Sequence, residues 1–567
     1  MSHAASVDSS TSPGAGHAQV RVRDTRSWIA SLPLADSVTS AERLYRAVSD
    51  LNRREPDPGQ RLDLMELYAQ PVAAVSTALQ APWVYLRLPM PPKARRHAEF
   101  LRNLHAEMAS GYQYTLRDLF KGHHPWDRKS VVCRAAERAI HQLGEVLLRS
   151  YQLYMPAPAG VWREIHSLYR HLEERGLLDH PLSRTPEDSG VRPTVRNTYL
   201  RVLLLGLCGP YQLPQNECLR VNAFLLNWAD KASIASRPET VNPEGRFLVD
   251  LSADSPARPI PKDAKPAAGP NLRVLSALGL ARSAYRFMQQ LLSGASMRQS
   301  GMGFDCSDSG CLDVLQLMVR FWGAGASRLY PRRSARDAEL SLCVGLKALH
   351  FFSGGGRPFT PSPMDVGSGR LGIPAPELAR SSPEEAFIDL DSSAVFPEPE
   401  GSHRRSQQPA EQRFETRQWR ICDESANGLA LAHRGGGASV GVGDLLGIRG
   451  PGAAGWGVGV VRWLKSPDTA RVDIGVKMLA PGAVPVAVKP VDGDALSGYV
   501  QALQLAAIPP VGQPPTLLVE RGLVSVGKDL HLLDERDGSK PYRIHILKVI
   551  RRTPSFEQAV FEPVREP

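Results

Sequence analysis

Long apolar runs, paired cysteines and the common catalytic signatures are all missing from this chain of 567 residues. The longest apolar run, VLLLGLCG at Val202–Gly209, falls well short of the roughly 20 residues needed to cross a bilayer, so it reads as the core of a buried helix. The opening MSHAASVDSSTSPGAGHAQV lacks the charged-then-apolar order of a secretory signal. A cytoplasmic protein without a membrane span is therefore expected. Seven cysteines (Cys133, Cys208, Cys218, Cys306, Cys311, Cys343, Cys422) are odd in number and scattered with no C-x-x-C pair, which suits a reducing compartment and argues against zinc. No phosphate-cradling glycine loop, G-x-S-x-G elbow or H-E-x-x-H is present. His123 and His124 in GHHPWD have no carboxylate or cysteine at ligand spacing, and His166 and His171, five apart, fall on different faces of a helix. The expectation is a protein that is not an enzyme and carries no cofactor.

The formal net charge of +10 is a modest excess over this length. There is no dense Lys/Arg block interleaved with aromatics, no zinc-finger spacing and no helix-turn-helix pattern, so diffuse surface charge is expected and not a nucleic-acid face.

What is present divides into a helical front and a β-rich back. Thr39 and Glu42 have the spacing of a capping box, and Leu44, Ala47, Val48 and Leu51 follow at i, i+3, i+4, i+7. Similar stripes run through Val132, Ala136, Ile140, Leu143 and Leu147, and through Trp162, Ile165, Leu168, Tyr169 and Leu172. Further helices are predicted near Arg61–Leu79, Pro92–Phe120, Val195–Leu207, Asn216–Asp230, Asn271–Leu292 and Cys311–Trp322. The segment Gly245–Pro261 is the exception, extended and suited to a small hairpin or edge. No repeat of fixed length is apparent, so the front is an irregular array or bundle.

From Leu340 onward the pattern changes. Leu340–Phe352, apolar and closed by the glycines 354–356, reads as a strand. RQWRIC, LALAH, GDLLGIR, WGVGVVRWL and ARVDIGVKML follow with glycine or proline between most of them, and in the last Val472, Ile474, Val476 and Met478 alternate with Asp473, Gly475 and Lys477, the period of a half-buried strand. TLLVE, LVSVGKDLHLLD, YRIHILKVI and FEQAVFEP continue the β pattern toward the end. Cys343 and Cys422 fall in these strands as small apolar side chains.

Two short motifs frame the first of these strands: RRSAR at Arg332–Arg336 and DESANG at Asp423–Gly428. An arginine fork followed at a distance by Asp-x-Ser-x-x-Gly on a strand turn resembles the two halves of a PilZ domain, a bacterial receptor module for cyclic di-GMP. The resemblance covers roughly residues 328–480, and the chemistry suits a dianionic ligand with two guanines. Planar guanidinium groups of Arg332, Arg333 and Arg336 can stack on a purine, fork onto guanine or pair with phosphate. Asp423 can accept from a guanine N–H edge, Ser425 can donate to phosphate or base, and Gly428 permits close backbone approach or positive φ. Arg328 with Arg332, and Arg413 with Arg417, have the same spacing; Arg332 and Arg336 are favoured because a strand begins a few residues later, as in the family, whereas Arg413 and Arg417 leave no room for one before Asp423. No diguanylate cyclase or phosphodiesterase motif (GGDEF, EAL, HD-GYP) is present, so the chain resembles a reader of the messenger and not its maker.

Besides this ambiguous arginine register, the chain departs from the family pattern in a second respect: 353–412, rich in Pro, Ser, Gly and acidic residues, separates the two motifs and reads as a disordered insertion. Lengthening a loop from about 4 to about 60 residues costs only about 2.4 kcal/mol of closure entropy, which a barrel core absorbs. The expected organisation is multidomain α + β: a disordered 1–27, an all-α helical array over 28–325, the arginine linker and first strand of a PilZ-like antiparallel β-barrel over 326–352, the insertion, the rest of the barrel over 413–500, and a C-terminal β extension over 501–567. The resemblance implies a cyclic di-GMP receptor, expected to be cytoplasmic and to meet a protein partner through its helical domain. The alternative is a ligand-independent interaction scaffold with a degenerate barrel.

Overall fold

The computed structural model describes residues 21–564 except 86–87, 122–127, 184–192, 237–243, 261–268, 295–301, 303, 305–307, 324–332, 335–337, 360–413, 426, 437–438, 492–497, 508–511 and 537–539. His123, His124 and nearly all of the acidic insertion therefore lie outside the described residues.

The helical front comprises α1 (Val22–Ala30), α2 (Ser37–Asn52), α3 (Pro58–Gln80), α4 (Pro92–Lys121), α5 (Lys129–Gln152), α6 (Val161–Glu173), α7 (Val195–Leu207) and α8 (Glu217–Trp228). The apolar stripes anticipated on α2 and α5 are buried, and α5 packs against α4, α6, α7 and α8. The α2 start differs from the capping box: Asp36 is the cap, its carboxylate accepting from the Thr39 N–H at 3.0 Å, which lets the helix begin at Ser37. Helix α1 takes in 22–27, the last part of the stretch expected to be disordered. Thr25 is fully buried and the Trp28 ring meets Tyr68 edge-on at 6.1 Å, so the helix is held by packing that local composition does not reveal.

A four-stranded antiparallel sheet follows: β1 (Ser233–Ala235), β2 (Arg246–Asp250), β3 (Arg258–Pro259) and β4 (Leu272–Ser276), in the order β1-β4-β2-β3. It takes in the extended Gly245–Pro261 segment. It also corrects the helix predicted over Asn271–Leu292, because only α9 (Leu278–Leu292) is helical there. Leu272–Ser276 pairs with β2 along its length and with β1 from Val274 to Ser276, Leu275 lying opposite Ile234 and Phe247 in the core. Helix α10 (Asp308–Gly323) packs on α9.

The middle barrel is built from β5 (Arg333–Ser334), β6 (Glu339–Val344), β7 (Arg417–Ser425), β8 (Gly428–Arg434), β9 (Leu445–Arg449), β10 (Gly457–Lys465) and β11 (Arg471–Ala480). The order is β5-β7-β6-β9-β10-β11-β8, and an added β7–β8 pairing closes the ring with β5 on its rim. The first strand is shorter than Leu340–Phe352. It stops at Val344, Gly345 takes φ +94°, and α11 (Leu346–Ser353) follows. Helix α11 lies between this barrel and the next, with Leu349 fully buried.

The C-terminal β segment is a barrel of its own: β12 (Val484–Pro490), β13 (Val500–Leu505), β14 (Thr516–Val519), β15 (Asp529–Asp534), β16 (Tyr542–Arg552) and β17 (Glu557–Pro563), closed in the order β12-β13-β14-β17-β16-β15. It starts at Val484 and not at 501, because β12 and β13 are two of its staves. The helical front grips the middle barrel through Arg95 of α4. Buried, this guanidinium donates to Asp468 O at 2.9 Å, Pro467 O at 3.2 Å and Ser466 Oγ at 3.3 Å, all in the β10–β11 turn.

Candidate functional site

The DESANG motif forms the β7–β8 hairpin, and its register decides which way the motif points. Ile421 pairs with Leu431 in the core, but Asp423 pairs with Ala430 and Ser425 with Gly428. A bulge between Ile421 and Asp423 leaves Cys422 as the extra residue. Without it, Asp423 would share the inward face of Ile421; with it, Asp423 and Ser425 share the outer face with Arg420, which lies opposite Ala432. The bulge also explains why Cys422 is exposed, in contrast to the buried Cys343.

The turn is tied by Ser425, whose Oγ donates to the Gly428 carbonyl at 3.2 Å. Gly428 is needed for close approach and not for positive φ: a Cβ there would lie 2.5 Å from the Val476 carbonyl oxygen of β11. Across β8 and β11 the outer face pairs Gly428 with Lys477, Ala430 with Gly475, Ala432 with Asp473 and Arg434 with Arg471. Its centre is thus a floor of glycine and alanine. Trp463, opposite Gly475 on β10, lays its indole over Gly475 in the place a Cβ would take, and so bounds the floor left by Gly428 and Ala430. Arg471 donates to Asp473 at 2.7 Å, whereas Arg434 and Lys477 are exposed. A small-residue floor with an aromatic wall and cations at its edges accepts a flat anionic ring system.

On the other edge of β7, the backbone of Arg333 pairs with Glu424 and that of Ser334 with Asp423. The two motifs are thereby joined in one sheet. Arg332 and Arg336 lie outside the described residues. Arg417 starts β7 opposite Leu342, at the far end of the strand from the turn, and donates to Glu415 at 2.8 Å and to Gly436 O at 3.3 Å.

The helical front holds titratable groups of a different kind. His166 is buried between Tyr199 OH at 2.8 Å and Ser255 O at 2.9 Å. His105 sits between Ser76 Oγ at 3.0 Å and Gln142 Oε1 at 2.8 Å. Burial pulls His105 down to about 4 and His141, beside Arg201, down to about 3, so both rings are neutral near pH 7 and serve packing. Among the described residues no group of three or more His, Cys, Asp or Glu could hold a metal ion, and no helix is long and apolar enough to cross a membrane. Cys311 is disulfide-bonded, which the scattered cysteine spacing did not suggest.

Trp463 and Lys477 were read only as strand residues in the sequence. The alternation of Asp473, Gly475 and Lys477 against Val472, Ile474 and Val476 was the signal that places Lys477 on the outer face.

Three family models match in order along the chain. They are the N-terminal domain of the cyclic-di-GMP receptor FimW (23–239), its middle PilZ domain (246–365 and 379–485) and the FimW C-terminal beta-barrel domain (486–564). The middle model begins at β2, so it takes in β2, β3 and β4 of the small sheet with α9 and α10 as well as the barrel, while β1 falls within the N-terminal model, and its gap falls inside the insertion. Among curated proteins the chain is similar to the cyclic-di-GMP receptor FimW of Pseudomonas aeruginosa, 27% identical over 522 residues that cover 88% of this chain and 84% of the relative. No solved structure matches the chain.

Proposed function

Because this chain belongs to the PilZ-domain proteins of FimW architecture, we propose that it is a cytoplasmic cyclic di-GMP receptor that performs no chemistry of its own. The dinucleotide lies on the outer face of β7, β8 and β11, with Asp423 accepting from a guanine edge, Ser425 meeting phosphate or base, and Gly428 keeping the floor open. Arg332 and Arg336, with Arg333 between them, supply the guanidinium groups. The observation that carries this reading is the bulged β7–β8 hairpin, which turns Asp423 and Ser425 to one face while the backbone of the arginine segment pairs beside Asp423. Charge-assisted bonds from the arginine segment form only when the dianion is present, so ligand favours the state in which those guanidinium groups lie against the barrel. A protein partner on the helical front then reads the change.

Titration calorimetry tests this. Cyclic di-GMP is expected to bind more tightly than about 10 μM, or about −7 kcal/mol. Arg336→Ala and Asp423→Ala each weaken it by at least about 1.5 kcal/mol, since each removes a charged hydrogen-bond partner, and Arg417→Ala changes little. Loss of binding in Arg417→Ala with Arg332 and Arg336 silent would move the fork to the Arg413–Arg417 segment. Absence of any heat in the unaltered protein would leave the scaffold reading.

A further inference from the structure

We propose that Arg462, Lys477 and Arg551 form a phosphate-binding subsite at the seam between the two barrels, so that the C-terminal barrel contributes directly to the bound dinucleotide. This rests on the reading of the middle barrel as a cyclic di-GMP receptor and extends it to residues outside the two motifs.

The three cations come from separate strands that the fold brings together. Lys477 on β11 lies opposite Gly428, the last residue of the DESANG turn, and on its other side opposite Val460 of β10. Arg462, two residues along β10, is the extra residue of a bulge between Val461 and Trp463. Arg551 follows a second bulge, on β16, where Ile550 is the extra residue, and pairs with Gln558 just before the turn into β17. That turn docks on the middle barrel beside Arg462: Ser555 Oγ donates to the Gly443 carbonyl at 3.0 Å, and the Gly443 N–H donates to Val461 O at 3.0 Å. Phe556 follows, buried among Leu445, Val458 and Val460. The seam is therefore packed and holds Arg551 in place.

Nothing described neutralises this cluster. Among the described residues none of the three cations has a carboxylate within ion-pair distance, and the one side-chain contact is Arg551 Nε donating to neutral Gln558 at 3.2 Å. Desolvation, then Arg551 and Arg462, pulls Lys477 below the usual lysine value, and Arg551 is lowered by burial and then by Arg462. Like charges brought together without a counter-ion oppose folding, the two half-buried arginines most, and an arriving anion removes that cost. The chemistry that fits is a phosphodiester oxygen, contacted by two forks and one ammonium. Its position beside Gly428 makes the dinucleotide on the adjacent floor the source.

The test compares unaltered protein with R551Q, K477Q and the charge-keeping R551K. Cyclic di-GMP titrations are run at low and moderate salt, with thermal unfolding of each unliganded protein. The expected result is about tenfold weaker binding and a shallower salt dependence in R551Q and K477Q, recovery in R551K, and an unliganded melting temperature equal to or above that of the unaltered chain. Equal affinity in all four proteins overturns the subsite while leaving the receptor intact, and so does a weakened R551Q that melts lower and is not rescued by R551K. If the unaltered protein fails to bind cyclic di-GMP, the receptor reading fails first. Inorganic pyrophosphate then decides the subsite: a melting-temperature rise in the unaltered protein that R551Q lacks supports an anion site, and no rise removes it.

Discussion

Gly428 occupies a position where any side chain would strike backbone. Its virtual Cβ sits 2.5 Å from the Val476 carbonyl oxygen, and that carbonyl belongs to β11, which has a strand on either side and cannot easily shift. Gly428→Ala is therefore expected to cost about 1–3 kcal/mol through overpacking and a strained β8–β11 pairing, read as a lower melting temperature, and to weaken nucleotide binding because the floor is displaced. A variant as stable as the parent would mean that the hairpin end is looser than its geometry implies. A second residue offers a pH test. Glu217 at the start of α8 is pushed up to about 7 from 4.5, first by burial and then by Asp313, against the pull of Arg220 and Arg521. A carboxyl group whose pKa is raised on folding stabilises the fold below its unfolded value, and that contribution disappears as pH rises through the folded value. Its share, up to about 3 kcal/mol, should thus fade between 4.5 and about 7. Glu217→Gln should flatten the fall in melting temperature over this range and leave the protein more stable at about pH 8. An unchanged pH profile in that variant would assign the dependence elsewhere.

At the scale of elements, the insertion separates pairing from chain proximity. Strand β6 pairs with β7 across the whole of 353–412, Leu342 lying opposite Arg417. Replacing 360–412 with a short Gly/Ser loop is expected to leave the barrel folded and cyclic di-GMP affinity within about tenfold, because the shorter loop lowers closure entropy. The acidic stretch Glu384–Glu400 carries the competing possibility, a plug over the arginines. A marked gain in affinity on replacement that fades with salt would identify it. Elements that the sequence made legible are those whose period is unambiguous: the stripe of α5, with Val132, Ala136, Ile140 and Leu147 all inward, and the alternation of β11. Elements misread are those where two periods compete. Leu340–Phe352 is apolar on every side, so only Gly345 at its positive φ marks where β6 gives way to α11. Residues 272–276 and 278–292 follow one another with a single residue between them, and pairing with β1 and β2 decides that the first part is a strand.

At the scale of the molecule, the motif residues were found by their chemistry, but their direction was not. Which way Asp423 faces depends on one bulge, and a bulge leaves no mark in composition. The separateness of the C-terminal barrel was hidden for a related reason: closure depends on β12 pairing with β15, Val486 with Asp534, a contact between distant segments. What binds the parts into one molecule is a set of grips on the middle barrel. Arg95 holds its β10–β11 turn from the helical front, α11 fills the gap to the C-terminal barrel, and the β16–β17 turn docks at Gly443. A ligand on the outer face of β11 acts on the strand that leaves the turn held by Arg95, while α11 and the β16–β17 turn hold the neighbouring β6, β9 and β10. Amide hydrogen exchange of the full chain with and without cyclic di-GMP examines this most directly. The account predicts ligand-dependent protection concentrated at Arg333–Arg336 and along Asp423–Gly428 and Gly475–Lys477, extending to the Ser466–Asp468 turn held by Arg95; protection confined to the helical front, or none anywhere at saturating ligand, would contradict it.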